Sequence, residues 1–354
     1  MCQFCIRKRL IPLLSIFLLL GLAVNAQDPQ FSQFYAAPLY LNPAMAGNTY
    51  DGRATLNYRN QWVGLPANFE TYMVGYDQYI PSKNIALGGT IRQDRSTVNG
   101  SQSFTNTSVE VIGSYLLSIS NNLKVNFGLQ LGFMQSSLAF NNLLFSDQIG
   151  TGGTIGGPTA ETLLNDNAFA PDISAGMLVY GRGFWGGLAL HHINSPNVSF
   201  MGGKQHYPMK FSLMGGYVIP LEYANRRQTV KSYTGKSISP VVLFMQQGQA
   251  TQLSLGAYAN LSPLLIGIWY RGLPLIKQND AQAINHDAII AMIGVKVQRL
   301  KFGYSMDWTL TRLPQQGAIS HEISLGYDLN IYKDYRKKKK KKAQLLPCST
   351  PWVN

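Results

Sequence analysis

The sequence predicts an all-β fold, a transmembrane antiparallel β-barrel of the outer membrane with about 14 strands and an N-terminal non-strand segment as its plug. Three observations point there. Apolar and polar residues alternate with period two along much of the chain. Tight and long connections also alternate. Finally, the chain is 45% hydrophobic, 11% aromatic and only 13% charged, yet no apolar run beyond its first segment is long enough for a membrane-spanning helix. A sheet with one oily face suits that composition, and a bilayer lets the oily face stay uncovered. The competing architecture is a soluble β-sandwich with one polar face.

Residues 1–26 read as a cleavable signal peptide. Arg7, Lys8 and Arg9 precede an apolar run over 10–24, and Val24-Asn25-Ala26 places small residues just before Gln27. The run is shorter than the roughly 20 residues a membrane helix needs, and Pro12, Ser15 and Gly21 interrupt it. Export to the outer membrane follows. Cys2 and Cys5 fall within the leader, leaving Cys348, so neither an internal disulfide nor a Cys/His metal cluster is expected.

Residues 27–50 form the plug segment. Pro29, Pro38 and Pro43 exclude an interior strand, while Phe31, Phe34, Tyr35 and Tyr40 need burial. Residues 51–332 form the barrel. In 123–133 the odd positions read Leu, Val, Phe, Leu, Leu, Phe and the even ones Lys, Asn, Gly, Gln, Gly; 300–309 and 322–329 repeat the pattern. The same test starts strands near Arg53, Phe69, Ile85, Thr105, Leu123, Pro171, Phe184, Met209, Ile238, Thr251, Leu264, Asp287, Leu300 and Ile319. In the first strand Ala54, Leu56 and Tyr58 should face lipid, and Arg53, Asn57 and Arg59 the lumen. A one-residue slip would put two arginines in hydrocarbon, at about 2–4 kcal/mol each near the midplane.

Tight turns are expected at 80–84, 120–122, 181–183, 262–263 and 298–299, and long connections after the third, fifth, seventh and eleventh strands, notably 141–170, 194–207 and 272–286. Short inner turns and long outer loops are the barrel pattern; the basic stretch 221–237 is the exception. Phe145, Ile149, Leu163, Leu164, Phe200 and Met201 are apolar residues of the long loops. They either anchor a partner or fold back over the barrel mouth.

The net charge of +13 would suggest a nucleic-acid partner until the charges are placed. The leader and the run Lys333, Arg336 and Lys337 to Lys342 hold eleven of the 30 basic residues, leaving a body of 19 basic against 16 acidic. No nucleic acid is therefore expected. Residues 333–354 are read as a basic periplasmic tail, either solvated or drawn to anionic headgroups.

No catalytic, cofactor or metal site is expected. Thr234-Gly235-Lys236-Ser237 lacks the leading glycine of a phosphate loop, where Val230 stands. The glycine-rich 150–157 has no following lysine. His191 and His192, neighbours on a strand, should face opposite sides and form a surface pair.

The mature start, Asp28-Pro29-Gln30-Phe31-Ser32-Gln33-Phe34-Tyr35 through Pro38, Asn42-Pro43 and Gly47, is followed by Tyr58-Arg59-Asn60-Gln61-Trp62 and by Tyr72, Tyr76 and Asp77. With Ser320-His321-Glu322 and Tyr327 near the end, it closely resembles the PorP/SprF family of the type IX secretion system. The resemblance spans the mature chain apart from its long loops. The lysine run and the ending Pro347-Cys348-Ser349 depart from the family pattern. The resemblance implies a non-enzymatic outer-membrane component of Bacteroidetes-type bacteria, in a system tied to gliding motility. Its implied role is to support secretion or surface anchoring of a large adhesin-like protein with a type IX C-terminal signal domain. Implied partners are that protein, the other periplasmic and outer-membrane secretion components and the lipid bilayer. An outer-membrane channel or small-solute transporter is the alternative.

Overall fold

The computed structural model describes residues 27–49, 52–98, 100–120, 122–143, 145–149, 157, 159–160, 165–181, 183–200, 203, 205–221, 236–277, 284–310 and 318–329. The expected signal peptide, Leu163, Leu164, Met201 and the tail with its lysine run and Cys348 lie outside them. The strands are β1 (Gly52–Gln61), β2 (Ala67–Ile80), β3 (Ile85–Val98), β4 (Ser101–Ser118), β5 (Lys124–Leu138), β6 (Asn167–Tyr180), β7 (Phe184–His191), β8 (Lys210–Tyr217), β9 (Ile219–Pro220), β10 (Ser237–Gln247), β11 (Ala250–Leu261), β12 (Leu264–Lys277), β13 (Ile284–Val297), β14 (Leu300–Thr309) and β15 (Ile319–Asp328). Fourteen close into one antiparallel barrel; the two-residue β9 lies outside the ring, paired to β10 below the end of β8. Closure is made by β1 on β15, where Arg53 faces Asp328 and Asn60 faces His321.

Alternation sets which way each strand faces. On β5, Leu129 is 50% and Phe133 55% exposed, while Asn126 and Gln130 on the alternate positions are buried. On β1, Arg53, Thr55, Asn57 and Arg59 are buried and Leu56 is exposed. Exposed apolar side chains on the outside and buried polar ones within invert the order of a soluble core, as a lipid-facing wall requires. Closure leaves no open edge around the ring for most of the barrel's height, which is how a sheet satisfies its backbone in hydrocarbon.

Two connections differ from expectation. The third is not long: β3 and β4 are joined across residues 99–100, and Gly100 has φ +79°. Asn-Gly at this point is the two-residue hairpin signal, and it carries β4 on to 18 residues. The connection after the eleventh ring strand is shorter than 272–286, because β12 continues to Lys277. The long connections 139–166 and 192–209 stand as expected on the same end of the barrel.

The N-terminal segment packs against the inward-facing side chains. A one-turn helix α1 (Pro38–Leu41) begins on a proline, which needs no N–H partner there. Next comes a 3-10 turn, Pro43–Met45, capped when Asn42 accepts a hydrogen bond from the Ala44 N–H. Phe31, Tyr35, Ala37, Leu39, Ala44, Met45 and Ala46 are all buried. Asp28 meets Gln247 at the long-loop end of β10, and Gly47 meets Asp77 near the short-turn end of β2, so the segment runs lengthwise through the lumen.

Candidate functional site: the lumen around the N-terminal segment

Three groups of barrel side chains hold the segment. The first is built on β1, β12, β14 and β15. Glu322 accepts hydrogen bonds from the backbone N–H groups of Ser32 (2.6 Å) and Gln33 (3.1 Å), and Gln33 Nε2 donates to the Glu322 carbonyl (2.9 Å). Ser32 Oγ donates to Asp307 (2.6 Å) and accepts from Arg59 Nη1 (2.7 Å). Arg59 bridges Asp307 (2.8 Å) and Glu322 (3.3 Å), and Arg271 joins Asp307 (3.2 Å) to Asp287. Ser324 and Tyr35 both donate to Gln33 Oε1. Each charge in this group is paired with one of opposite sign, the condition under which buried charges are tolerated.

The second group is at the long-loop end. Asp28 lies between Lys210 and His192, whose Nε2 is 3.1 Å away; His192 Nδ1 meets Asp172 at 2.9 Å. Burial alone would push the Asp28 carboxyl up, but Lys210 and His192 hold it well below the usual carboxylate range. For His192 burial opposes the charge, yet Asp28 and Asp172 raise it to about 9. Tyr40 donates to the Pro29 carbonyl, and the Lys210 ammonium and Arg92 guanidinium stand 4.5 Å and 5.0 Å from its ring centroid.

The third group is a notch in the wall. Gly128 of β5 and Gly176 of β6 face each other in register, and Gly187 lies nearby on β7. A Cβ on Gly128 would fall 2.2 Å from the Ala44 nitrogen, and one on Gly176 2.0 Å from Asn42 Oδ1. Glycine is required there because the Asn42-Pro43-Ala44 turn lies directly on the strands. Asn42 Nδ2 donates to the carbonyl of Leu188 (3.0 Å), while Asn126 and Ser114 donate to the carbonyls of Ala44 and Ala46. Gly47, at φ +70°, ends the segment with its N–H on Asp77, which also pairs with Arg53 at 2.9 Å.

The expected motif residues thus divide by direction. Asp28, Ser32, Gln33, Tyr35, Pro38, Asn42, Pro43, Gly47, Arg59, Asp77 and Glu322 come together inside. Tyr72, Tyr76 and Tyr327 are exposed on the outer face, where Tyr58 and Tyr72 both donate to Glu70. Ser320 binds the Trp62 N–H from inside, and His321 pairs with the Tyr304 hydroxyl. Of the loop residues, Phe200 packs on the rim cluster of Met134, Ala168, Ala170, Val198 and Tyr207. Phe145 lies against Phe140, and Ile149 stays 49% exposed.

His191 and His192 are not a surface pair. Both are 4% exposed and inside. β7 ends at His191, and His192 takes φ +56°, which breaks the alternation that would have sent the two rings to opposite faces. Lys210, Asp172, Arg271 and Asp307 were missed as partners. Their one signal is a charge on the polar face of an alternating strand.

A closed barrel with an apolar outer belt, its polar inner face bonded to the N-terminal segment, defines an outer-membrane β-barrel protein. Residues 23–327 match the family described as type IX secretion system membrane protein PorP/SprF, and the chain belongs to that family, an outer-membrane component of type IX secretion. No match is found among curated proteins. Among solved structures, it is similar to the CymD monoaromatic hydrocarbon channel at 12% identity, over 83% of this chain and 93% of that one, with a TM-score of 0.49. The Pseudomonas putida toluene transporter TodX gives 10% identity, 86% and 97% coverage and a TM-score of 0.47. CdiB from Acinetobacter baumannii gives 7% identity over 79% of this chain and a TM-score of 0.44, and the chain spans only 60% of CdiB's length.

Proposed function

We propose that the protein supports secretion or surface anchoring of one large adhesin-like protein that carries a type IX C-terminal signal domain. Residues 1–26 are its signal peptide, 27–50 a plug, 51–332 the barrel and 333–354 a periplasmic tail that faces the rest of the machine. Family membership across residues 23–327 is the observation that supports this reading. The lumen agrees with it, since charged side chains that would line a water path are instead bonded to the segment. The barrel is then a rigid platform, and the connections 139–166 and 192–209 at one end offer adaptable contact area. A deletion strain should lose one surface adhesin while other secreted proteins stay, and the purified barrel should retain that adhesin's C-terminal domain. An intact surface proteome with lost uptake of a small solute would establish the channel instead.

A further inference from the structure

The ladder between β11 and β12 is incomplete. It runs from Leu261 opposite Leu264 to Ser254 opposite Arg271 and ends there, although β11 begins at Ala250 and β12 continues to Lys277. Beyond that point each strand keeps only its other neighbour. Gln247 of β10 still faces Ala250 of β11, and Gly272 and Leu273 of β12 face His286 and Asn285 of β13. The divergence is built into the chain. Gly272 has φ +151°, a conformation open to glycine, and the β12–β13 register shifts on both sides of the Gly272-Leu273 pair. Pro274 follows, a residue that strands tolerate at edges and bulges. Residues 250–253 and 272–277 therefore present two strand edges to each other across a split at the long-loop end of the wall.

Behind the split lies a cleft of 610 Å3 between the wall and the N-terminal segment. Gln252 and Leu273, one from each lip, line it together with Gln27, Gln30, Gln249 and Gln247, whose amide already bonds Asp28 and Pro208. Open strand edges need N–H donors and C=O acceptors, and primary amides offer both. A second peptide backbone satisfies both strand edges. An apolar solute satisfies none.

We propose that this split receives an extended segment of a partner polypeptide, added as a strand between β11 and β12 with alternate side chains turned toward the amide-lined cleft. The inference rests on the reading that the barrel holds a secreted protein. The segment would be proline-free over the four residues of 250–253, with apolar side chains on its lipid-facing side.

The test uses the full chain in lipid nanodiscs and, as probe, a purified C-terminal signal domain of a type IX secreted protein from the same organism. Hydrogen exchange at 250–253 and 272–277 should slow when the domain is added. In a Cys348→Ser background, Gln252→Cys and Leu273→Cys are joined by a short bismaleimide after purification, so folding precedes the staple. The stapled barrel should bind the domain about tenfold more weakly than the same double-cysteine barrel before the staple, or worse. Unchanged binding to the stapled barrel, with protection confined to the long loops, overturns the split as the site and leaves the carrier reading standing. No binding to the unmodified barrel overturns that reading and the proposed occupant with it. A staple that blocks exit of a fluorescent apolar solute but not domain binding assigns the split to the solute, and also overturns the proposal.

Discussion

Arg59 of β1 stands directly opposite Glu322 of β15 in the pair of strands that closes the barrel, and both bind Ser32 of the N-terminal segment. One seryl residue thus ties the segment to both sides of the closing seam. Removing one partner from a buried ion pair costs about 3–5 kcal/mol, because the other charge is stranded. Arg59→Ala should therefore lower the melting temperature of the purified barrel and expose residues 27–40 to protease. Leu56→Ala, on the lipid face of the same strand, should do neither.

The notch offers a steric test. Gly176→Ala places a methyl where Asn42 Oδ1 lies, and Gly128→Ala crowds the Ala44 nitrogen. Both should raise labelling of an N-terminal tag in the folded barrel. Gly113→Ala, where a Cβ meets nothing within 4 Å, should leave labelling unchanged.

Deleting residues 28–46 should raise single-channel conductance in planar bilayers if the proposed plug holds, since the segment is bonded to inward-facing side chains from the Asp28 contacts to the Gly47 contact. Equal conductance with and without it would remove the plug from the proposal.

The register of β1 has its own test. A cysteine at 56 should react with a lipophilic maleimide and one at 57 should not, because Leu56 is exposed outward and Asn57 is buried inward. The reverse result would shift the strand by one residue.

The long-loop-end contacts should depend on pH. His192 is raised to about 9 when folded, so its stabilisation is present below its ordinary value near 6.5 and is lost as pH rises through 9. Asp28 is depressed, so its contribution is present above 3.8 and is lost as pH falls through its folded value. Exchange protection of residues 28–32 should weaken as pH rises from about 6.5 through 9, and on the acid side should fail only as pH falls below 3.8 and through the folded value of Asp28. In His192→Gln the loss above pH 9 should vanish.

The wall was legible because a membrane strand writes its orientation into every second residue; Asn126 to Phe133 and Leu300 to Thr309 face as alternation requires. The interior was only partly legible. The prolines and aromatics of 28–47 announce a buried non-strand segment, but nothing local joins Asp28 to His192, 164 positions away. The His192 backbone, at φ +56°, also reverses the rule by which its facing was read. Loop lengths failed after the third strand, where β4 begins at Ser101, only three positions beyond the end of β3. The split between β11 and β12 depends on register, which single-strand patterns do not carry.

The lengthwise course of the segment also constrains assembly. Ser32 and Glu322 are 290 residues apart, so their bond forms only after the last strand has arrived. Residues 28–47 are made before any strand exists, and the completed ring encloses them. A wall wound around its own leading peptide, as a sleeve on a mandrel, would bring all of these groups together in one closing step. The carboxylate of Glu322 becomes the fastener that meets Arg59 and Ser32 together when the winding comes full circle.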